Sequence, residues 1–148
     1  MVEAVNAGSK SIAAMPTIAR GQSRIMLVDD EVTNREVLAR FLQMHGYRVD
    51  AFADGLEAWQ ALSEAPKDWD LLVTDLNMPG LNGEQLTAKA LALRPELPVI
   101  ICSGYLAWHD GGNQQKRGIF ALLNKPLDCT TFLQSVASAL GYGETGER

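Results

Sequence analysis

A doubly wound α/β fold, with five parallel strands in one sheet and helices on both faces, is what this sequence predicts. Three observations predict it. Five short runs rich in aliphatic and β-branched residues recur along the chain, each short enough for a buried strand. Four of the runs are followed by stretches whose apolar residues repeat at helical spacing. Strand–helix alternation with crossovers of this length calls for right-handed connections and therefore for helices on both faces of a parallel sheet.

Residues 1–23 are rich in Ala, Ser and Gly without a sustained period and read as a flexible tail or linker. Ile25-Met26-Leu27-Val28 is the first strand and ends in Asp29-Asp30-Glu31. Thr33 and Glu36 match a capping box, Val37, Leu38, Phe41 and Leu42 follow at helical spacing, and Gly46 marks the stop. Arg48–Phe52 is the second strand. Asp54 and Glu57 begin another helix, with Leu56, Trp59, Ala61 and Leu62 ahead of Pro66.

Residues 70–74 form the third strand, which runs straight into Asp75. Pro79-Gly80 then turns the chain, since Pro79 lacks an N–H and Gly80 tolerates positive φ. A helix from Gly83 or Glu84 to Leu93 stops before Pro95. Pro98–Cys102 is the fourth strand and ends in Ser103-Gly104. In the connection 105–118, Gly111-Gly112 argues against one long helix. Ile119–Leu123 is the fifth strand, ending in Asn124-Lys125-Pro126. Asp128 caps a last helix through Phe132, Leu133, Val136 and Leu140, and Gly141 ends it. The predicted organisation is a tail (1–23), one domain (24–141) and a C-terminal tail (142–148).

Composition narrows the function. The 148 residues are 47% hydrophobic and 21% charged, as in an ordinary soluble domain with a buried core. A net charge of −5 argues against a nucleic-acid surface, which needs a basic face. No apolar run approaches the ~18 residues of a membrane span, and no continuous apolar segment marks a signal peptide. Cys102, in an apolar run, reads as a core residue; with Cys129 it makes neither a metal motif nor a disulfide scaffold. A reduced, cytoplasmic protein is expected.

The chemistry gathers at the strand ends. Asp29-Asp30, Asp75, Ser103 and Lys125 close strands one, three, four and five, and a parallel sheet brings such ends to one edge, where ligands bind in this fold class. Three close carboxylates repel: at an effective dielectric of ~20 each pair at ~4 Å costs roughly 4 kcal/mol. A hard divalent cation, Mg²⁺ or Mn²⁺, resolves this and recruits phosphate oxygens. The charges then suggest roles. Asp75 attacks phosphorus and becomes an acyl phosphate. Asp30 and Asp75 hold the cation directly, Asp29 through water, and the backbone carbonyl of Asn77 is a further ligand. Lys125 pairs with one phosphoryl oxygen and the Ser103 hydroxyl with another.

This set, with Met78-Pro79-Gly80-Leu81-Asn82-Gly83 after the acceptor and Pro126 after the lysine, resembles the receiver domain of two-component response regulators over about residues 24–140. The resemblance implies the flavodoxin-like strand order 2-1-3-4-5. It also implies a cis Lys125-Pro126 bond that turns the ammonium inward. The phosphoryl donor it implies is a histidine kinase or a histidine phosphotransfer protein. Readout would occur at the face formed by the fourth helix, the fifth strand and the last helix, with Ser103 swinging toward the phosphate. Dimerisation through the fourth and last helices is compatible with it. Such a domain is a regulatory phosphoacceptor rather than an enzyme acting on other substrates. Ser103-Gly104-Tyr105 and Lys125-Pro126-Leu127 look most like receivers attached to hybrid histidine kinases. Asn77 and Tyr105 hold positions that in the family tune access of hydrolytic water.

One position departs from the pattern. The family usually has an aromatic three residues before the lysine, where this chain has Leu122. A receiver fold acting as a phosphorylation-independent interaction module is therefore the alternative. A Mg²⁺-dependent aspartyl-phosphate phosphatase would need an aspartate where Asn77 stands. An FMN site would need a Ser/Thr/Gly phosphate loop where Asp29-Asp30-Glu31 stands. His45 and His109 read as surface or helix-end residues, Trp59 and Trp69 as packing residues, and Trp108 as partly exposed near the readout face. No output domain is legible within the 148 residues, so the output is expected to lie in a partner, a domain elsewhere or onward phosphoryl transfer.

Overall fold

The computed structural model describes residues 23–104 and 118–141. Five strands, β1 (Arg24–Val28), β2 (Arg48–Phe52), β3 (Leu71–Asp75), β4 (Val99–Ser103) and β5 (Ala121–Asn124), form one sheet in the order β2-β1-β3-β4-β5. Every neighbouring pair is parallel, with Leu27 opposite Val73 and Ile101 opposite Leu122. The helices are α1 (Val32–Met44), α2 (Gly55–Glu64), α3 (Gly83–Leu93) and the last helix, α4 (Cys129–Ala139). The expected fold class and strand order are thus observed. The tails 1–22 and 142–148, the expected fourth helix, Tyr105, Trp108 and His109 lie outside the described residues.

Strand alternation splits the core in two. Met26, Val28, Leu72, Val99 and Ile101 pack with Ala58, Leu62, Leu86 and Ala90 on the α2/α3 side. Ile25, Leu27, Leu71, Val73, Ile100 and Cys102 pack with Leu42, Phe132 and Val136 on the α1/α4 side. The two sides explain why the strands read as continuous apolar runs: central strands bury both faces. Burial pushes the Cys102 thiol up to about 12, so it is an inert core residue. Trp69 is buried and donates its indole N–H to Asp50 Oδ2 at 2.9 Å, and His45 bonds the Phe41 carbonyl at the end of α1. No helix among the described residues is long and apolar enough to cross a membrane.

Two local expectations are corrected. The Thr33–Glu36 capping box does not form. Glu31 is the N-cap, with an extended backbone and its carboxylate accepting the Asn34 N–H at 3.1 Å. The cause lies one step upstream: Asp29 Oδ1 accepts the Glu31 N–H at 2.9 Å, an Asx turn that ends the strand and starts the helix earlier. The fifth strand begins at Ala121, not Ile119. Ile119 is buried in the α2/α3-side core, and Phe120 donates its N–H to Val99 ahead of the paired register. A capping box does start α3, between Asn82 and Gln85.

Candidate functional site

The carboxyl ends of β1, β3, β4 and β5 meet at one edge of the sheet. Oxygens of Asp29, Asp30 and Asp75 lie within 4.8 Å of one another. Asp29 and Asp75 are buried and Asp30 is exposed, so the cluster is open on one side. Lys125 Nζ reaches in to 2.6 Å from Asp75 Oδ1 and 3.8 Å from Asp29 Oδ2. The Lys125-Pro126 peptide bond is cis.

Main-chain bonds position these groups. Asp29 donates its N–H to the Phe52 carbonyl, and Leu76, just past Asp75, donates to Cys102 at 2.8 Å. The Lys125 N–H donates to the Ser103 carbonyl at 2.7 Å, tying the hydroxyl-bearing strand end to the lysine-bearing loop. Ser103 is buried. Asn77 is exposed on the loop with Met78, Pro79 and Asn82, and Gly80 turns that loop with φ of 76°. Leu122 is half-buried against the α2/α3-side core, paired with Ile101 two residues before Ser103.

The electrostatics follow from burial. Desolvation raises the Asp29 pKa; the Glu31 N–H and the Lys125 charge pull it down, while Asp75 and Asp30 push it up further. For Lys125, burial opposes the charged form, but the bond to Asp75 and the charges of Asp29 and Asp75 win and raise its pKa. Among the described residues, three carboxylates face one ammonium, with the Arg35 guanidinium behind Asp29, and negative charge is left in excess, which a cation would balance. The donor set suits Mg²⁺. Opposite ligands of an octahedral ion at 2.0–2.1 Å stand about 4.2 Å apart, a spread comparable to the 4.8 Å within which these carboxylate oxygens gather. The all-oxygen chemistry also fits Mg²⁺ better than a soft metal.

One consequence concerns stability. Because the Asp29 pKa is raised on folding, the metal-free fold loses stability as pH rises between the unfolded and folded values. At neutral pH, Asp29→Asn in EDTA is expected to raise stability and Tm, with the gain vanishing below the carboxylate range. Asn keeps the oxygen that accepts the Glu31 N–H. A mutant less stable than wild type at pH 7 in EDTA would contradict this.

Sequence reasoning missed two contributors outright and named Gly83 without its packing role. Arg35 Nη1 donates to the Asp29 carbonyl at 2.8 Å. The buried Thr74 hydroxyl donates to the Asp75 carbonyl at 3.0 Å. Gly83 packs so closely on the end of β3 that a Cβ there would stand 2.2 Å from the Asp75 carbonyl oxygen. Only the last had a sequence signal, as the glycine following an Asn at a helix start.

A five-stranded doubly wound sheet with an acidic pocket and an inward lysine at its carboxyl edge defines a receiver-type phosphoacceptor domain. The chain belongs to the response regulator receiver domain family, which matches residues 25–137. It is 30% identical over 118 residues to the transcriptional regulatory protein GlrR of Escherichia coli (strain K12), covering 80% of this chain and 26% of that protein. It is 34% identical over 119 residues to the sensor protein EvgS of the same strain, covering 78% of this chain and 9% of EvgS. The solved receiver domain of the hybrid histidine kinase CckA is 36% identical, with a TM-score of 0.67, covering 80% of this chain and 99% of that one. The chain thus spans about a quarter or less of these two curated relatives. Domains of this family serve two-component signalling as phosphoacceptors and bind Mg²⁺ at an acidic pocket.

Proposed function

We propose that residues 24–141 form a signalling domain in which Asp75 accepts the phosphoryl group of a phosphohistidine. The observation that carries this reading is the convergence of the Asp29, Asp30 and Asp75 oxygens within 4.8 Å, with Lys125 Nζ 2.6 Å from Asp75. In the transfer, an Asp75 carboxylate oxygen bonds to phosphorus as the phosphorus–nitrogen bond breaks. The electron pair leaves with the donor imidazole, which takes a proton from solvent. Asp30 and Asp75, Asp29 through water and the Asn77 carbonyl would hold Mg²⁺ or Mn²⁺, and the ion when bound neutralises the phosphoryl oxygens. Lys125 gives up its contact with Asp75 for a phosphoryl oxygen, and Ser103 donates to another. Asn77 and Tyr105 set how readily water removes the group. The domain promotes only its own phosphorylation and dephosphorylation, in the cytoplasm.

The donor is a histidine kinase or a histidine phosphotransfer protein, in keeping with the likeness to EvgS and to the CckA receiver. Readout is assigned to the side of the domain formed by β5 and α4, and a homodimer could use the same face. β5 is an edge strand, and Phe120, just before it, is a large apolar residue left exposed. A second reading, a phosphorylation-independent interaction module, is favoured by one observation: Leu122, where the family usually has an aromatic, is already packed on the core.

Intact mass after incubation with a small-molecule phosphodonor, with and without Mg²⁺, tests the reading. A Mg²⁺-dependent gain of one phosphoryl group is expected. No gain, with no Mg²⁺ binding by calorimetry, would leave the interaction module.

A further inference from the structure

We propose that Arg35 is a positioning residue for the acidic pocket, aiming Asp29 and Asp30 by clamping the carbonyl between them. The inference rests on the metal-binding role given above to those carboxylates. Asp29 is held at three points: its N–H donates to Phe52 at 3.1 Å, its Oδ1 accepts from Glu31 at 2.9 Å, and its carbonyl accepts from Arg35 Nη1 at 2.8 Å. The first two fix the strand end and the carboxylate. The third fixes the plane of the Asp29–Asp30 peptide, and a planar peptide carries that orientation to the Cα of Asp30.

Asp30 is the exposed member of the trio, so its aim depends most on its backbone. Arg35 is well placed to hold it. Its own N–H donates to Glu31, so α1 carries it as a rigid arm, and it is half-buried while Thr33, Asn34, Glu36 and Val37 are exposed. Partners of this kind orient metal ligands, and their loss typically weakens metal binding 10–100-fold.

The sign of the effect separates positioning from simple charge. Removing a cation beside a Mg²⁺ site tightens binding if charge alone matters; removing a clamp loosens it. The test is calorimetric titration of the unphosphorylated full chain with MgCl₂, for wild type, Arg35→Met, Arg35→Gln, Arg35→Lys and Arg40→Met. Arg40 is an exposed arginine on the same helix. Arg35→Met is expected to bind Mg²⁺ roughly 10-fold more weakly, with its circular dichroism and its Tm in EDTA close to wild type. Arg35→Gln, whose amide can donate to the same carbonyl, recovers part of the loss. Arg40→Met binds as wild type does.

Tighter or unchanged binding in Arg35→Met overturns the inference, as does equal weakening in Arg40→Met. Should Arg35→Met fail to fold, unchanged binding in both Arg35→Gln and Arg35→Lys overturns it. Wild type that binds no Mg²⁺ at all overturns the metal reading together with this one, whereas normal wild-type binding with an indifferent Arg35 removes this inference alone.

Discussion

Asp75→Asn will abolish phosphoryl uptake while leaving the fold in place. The amide matches the carboxylate in shape, but its nitrogen lone pair is delocalised and its oxygen carries no full charge, so neither attacks phosphorus. Removing a nucleophile of this kind costs at least about 10³-fold in rate, which in an intact-mass assay reads as disappearance of the phosphorylated species. The fold should survive because two effects oppose. Lys125 loses its 2.6 Å partner but keeps Asp29 at 3.8 Å, and a buried charge robbed of its partner is costly. Against that, one of three mutually repelling carboxylates becomes neutral. We expect a net change within about 1–2 kcal/mol in EDTA, and weaker Mg²⁺ binding because a ligand charge is gone. The raised pKa of Lys125 gives a pH signature. Its pairing with Asp75 stabilises wild type fully below the ordinary lysine range and is lost as pH rises through the folded value. The mutant should therefore gain on wild type in alkali, where the lysine pairing is lost but the three carboxylates of wild type still repel. A mutant that still gains one Mg²⁺-dependent phosphoryl group would move the acceptor to another residue.

How the site could be read from the sequence follows from how it is built. Asp29, Asp30, Asp75, Ser103 and Lys125 stand where apolar runs stop, and a parallel sheet forces such stops onto one edge, so periodicity and topology alone bring them together. The three central strands were legible because β1, β3 and β4 bury both faces. Arg35 was not legible. Its bond goes to a backbone carbonyl six residues away, and no residue type marks a carbonyl that needs a donor. The start of α1 was misread because two cap patterns overlap, Glu31 with Asn34 and Thr33 with Glu36. The Asx turn at Asp29 decides between them, and that turn exists only once β1 has formed and Asp29 is fixed to Phe52. The start of β5 shows the converse. Ile119 and Phe120 carry strand-like side chains, but the first is used for packing and the second faces outward, so hydrophobicity ran ahead of pairing.

Gly83→Ala will be strongly destabilising, although alanine is the better helix former. At an unencumbered helical position the exchange gains about 1 kcal/mol. Here the added Cβ would stand 2.2 Å from the Asp75 carbonyl oxygen, 2.9 Å from Leu76 Cα and 3.0 Å from the Asp75 carbonyl carbon. All three are backbone atoms, so no side-chain rotation relieves the overlap. Either α3 or the end of β3 must move, against the Gly83 N–H bond to the Leu76 carbonyl and the Leu76 N–H bond to Cys102. Overpacking of this kind costs about 1–3 kcal/mol and more where the neighbour cannot yield. We expect a net loss of about 2–3 kcal/mol, roughly 10 °C or more in Tm. The strain falls on the acceptor itself, and a misplacement approaching 1 Å can cost about 10²-fold in rate. Phosphoryl uptake should therefore slow even in conditions where the mutant is folded. Two glycines of the same pocket edge serve as controls. At Gly104 a Cβ meets nothing within 4 Å among the described residues, so Gly104→Ala should be nearly silent in stability. Gly80 also has open space but a φ of 76°, so Gly80→Ala should cost only the left-handed backbone penalty of about 1–2 kcal/mol. Equal stability of Gly83→Ala and Gly104→Ala in a denaturant titration would mean that the contact between α3 and the acceptor strand is looser than the geometry requires, and that Asp75 is held in place by its strand alone.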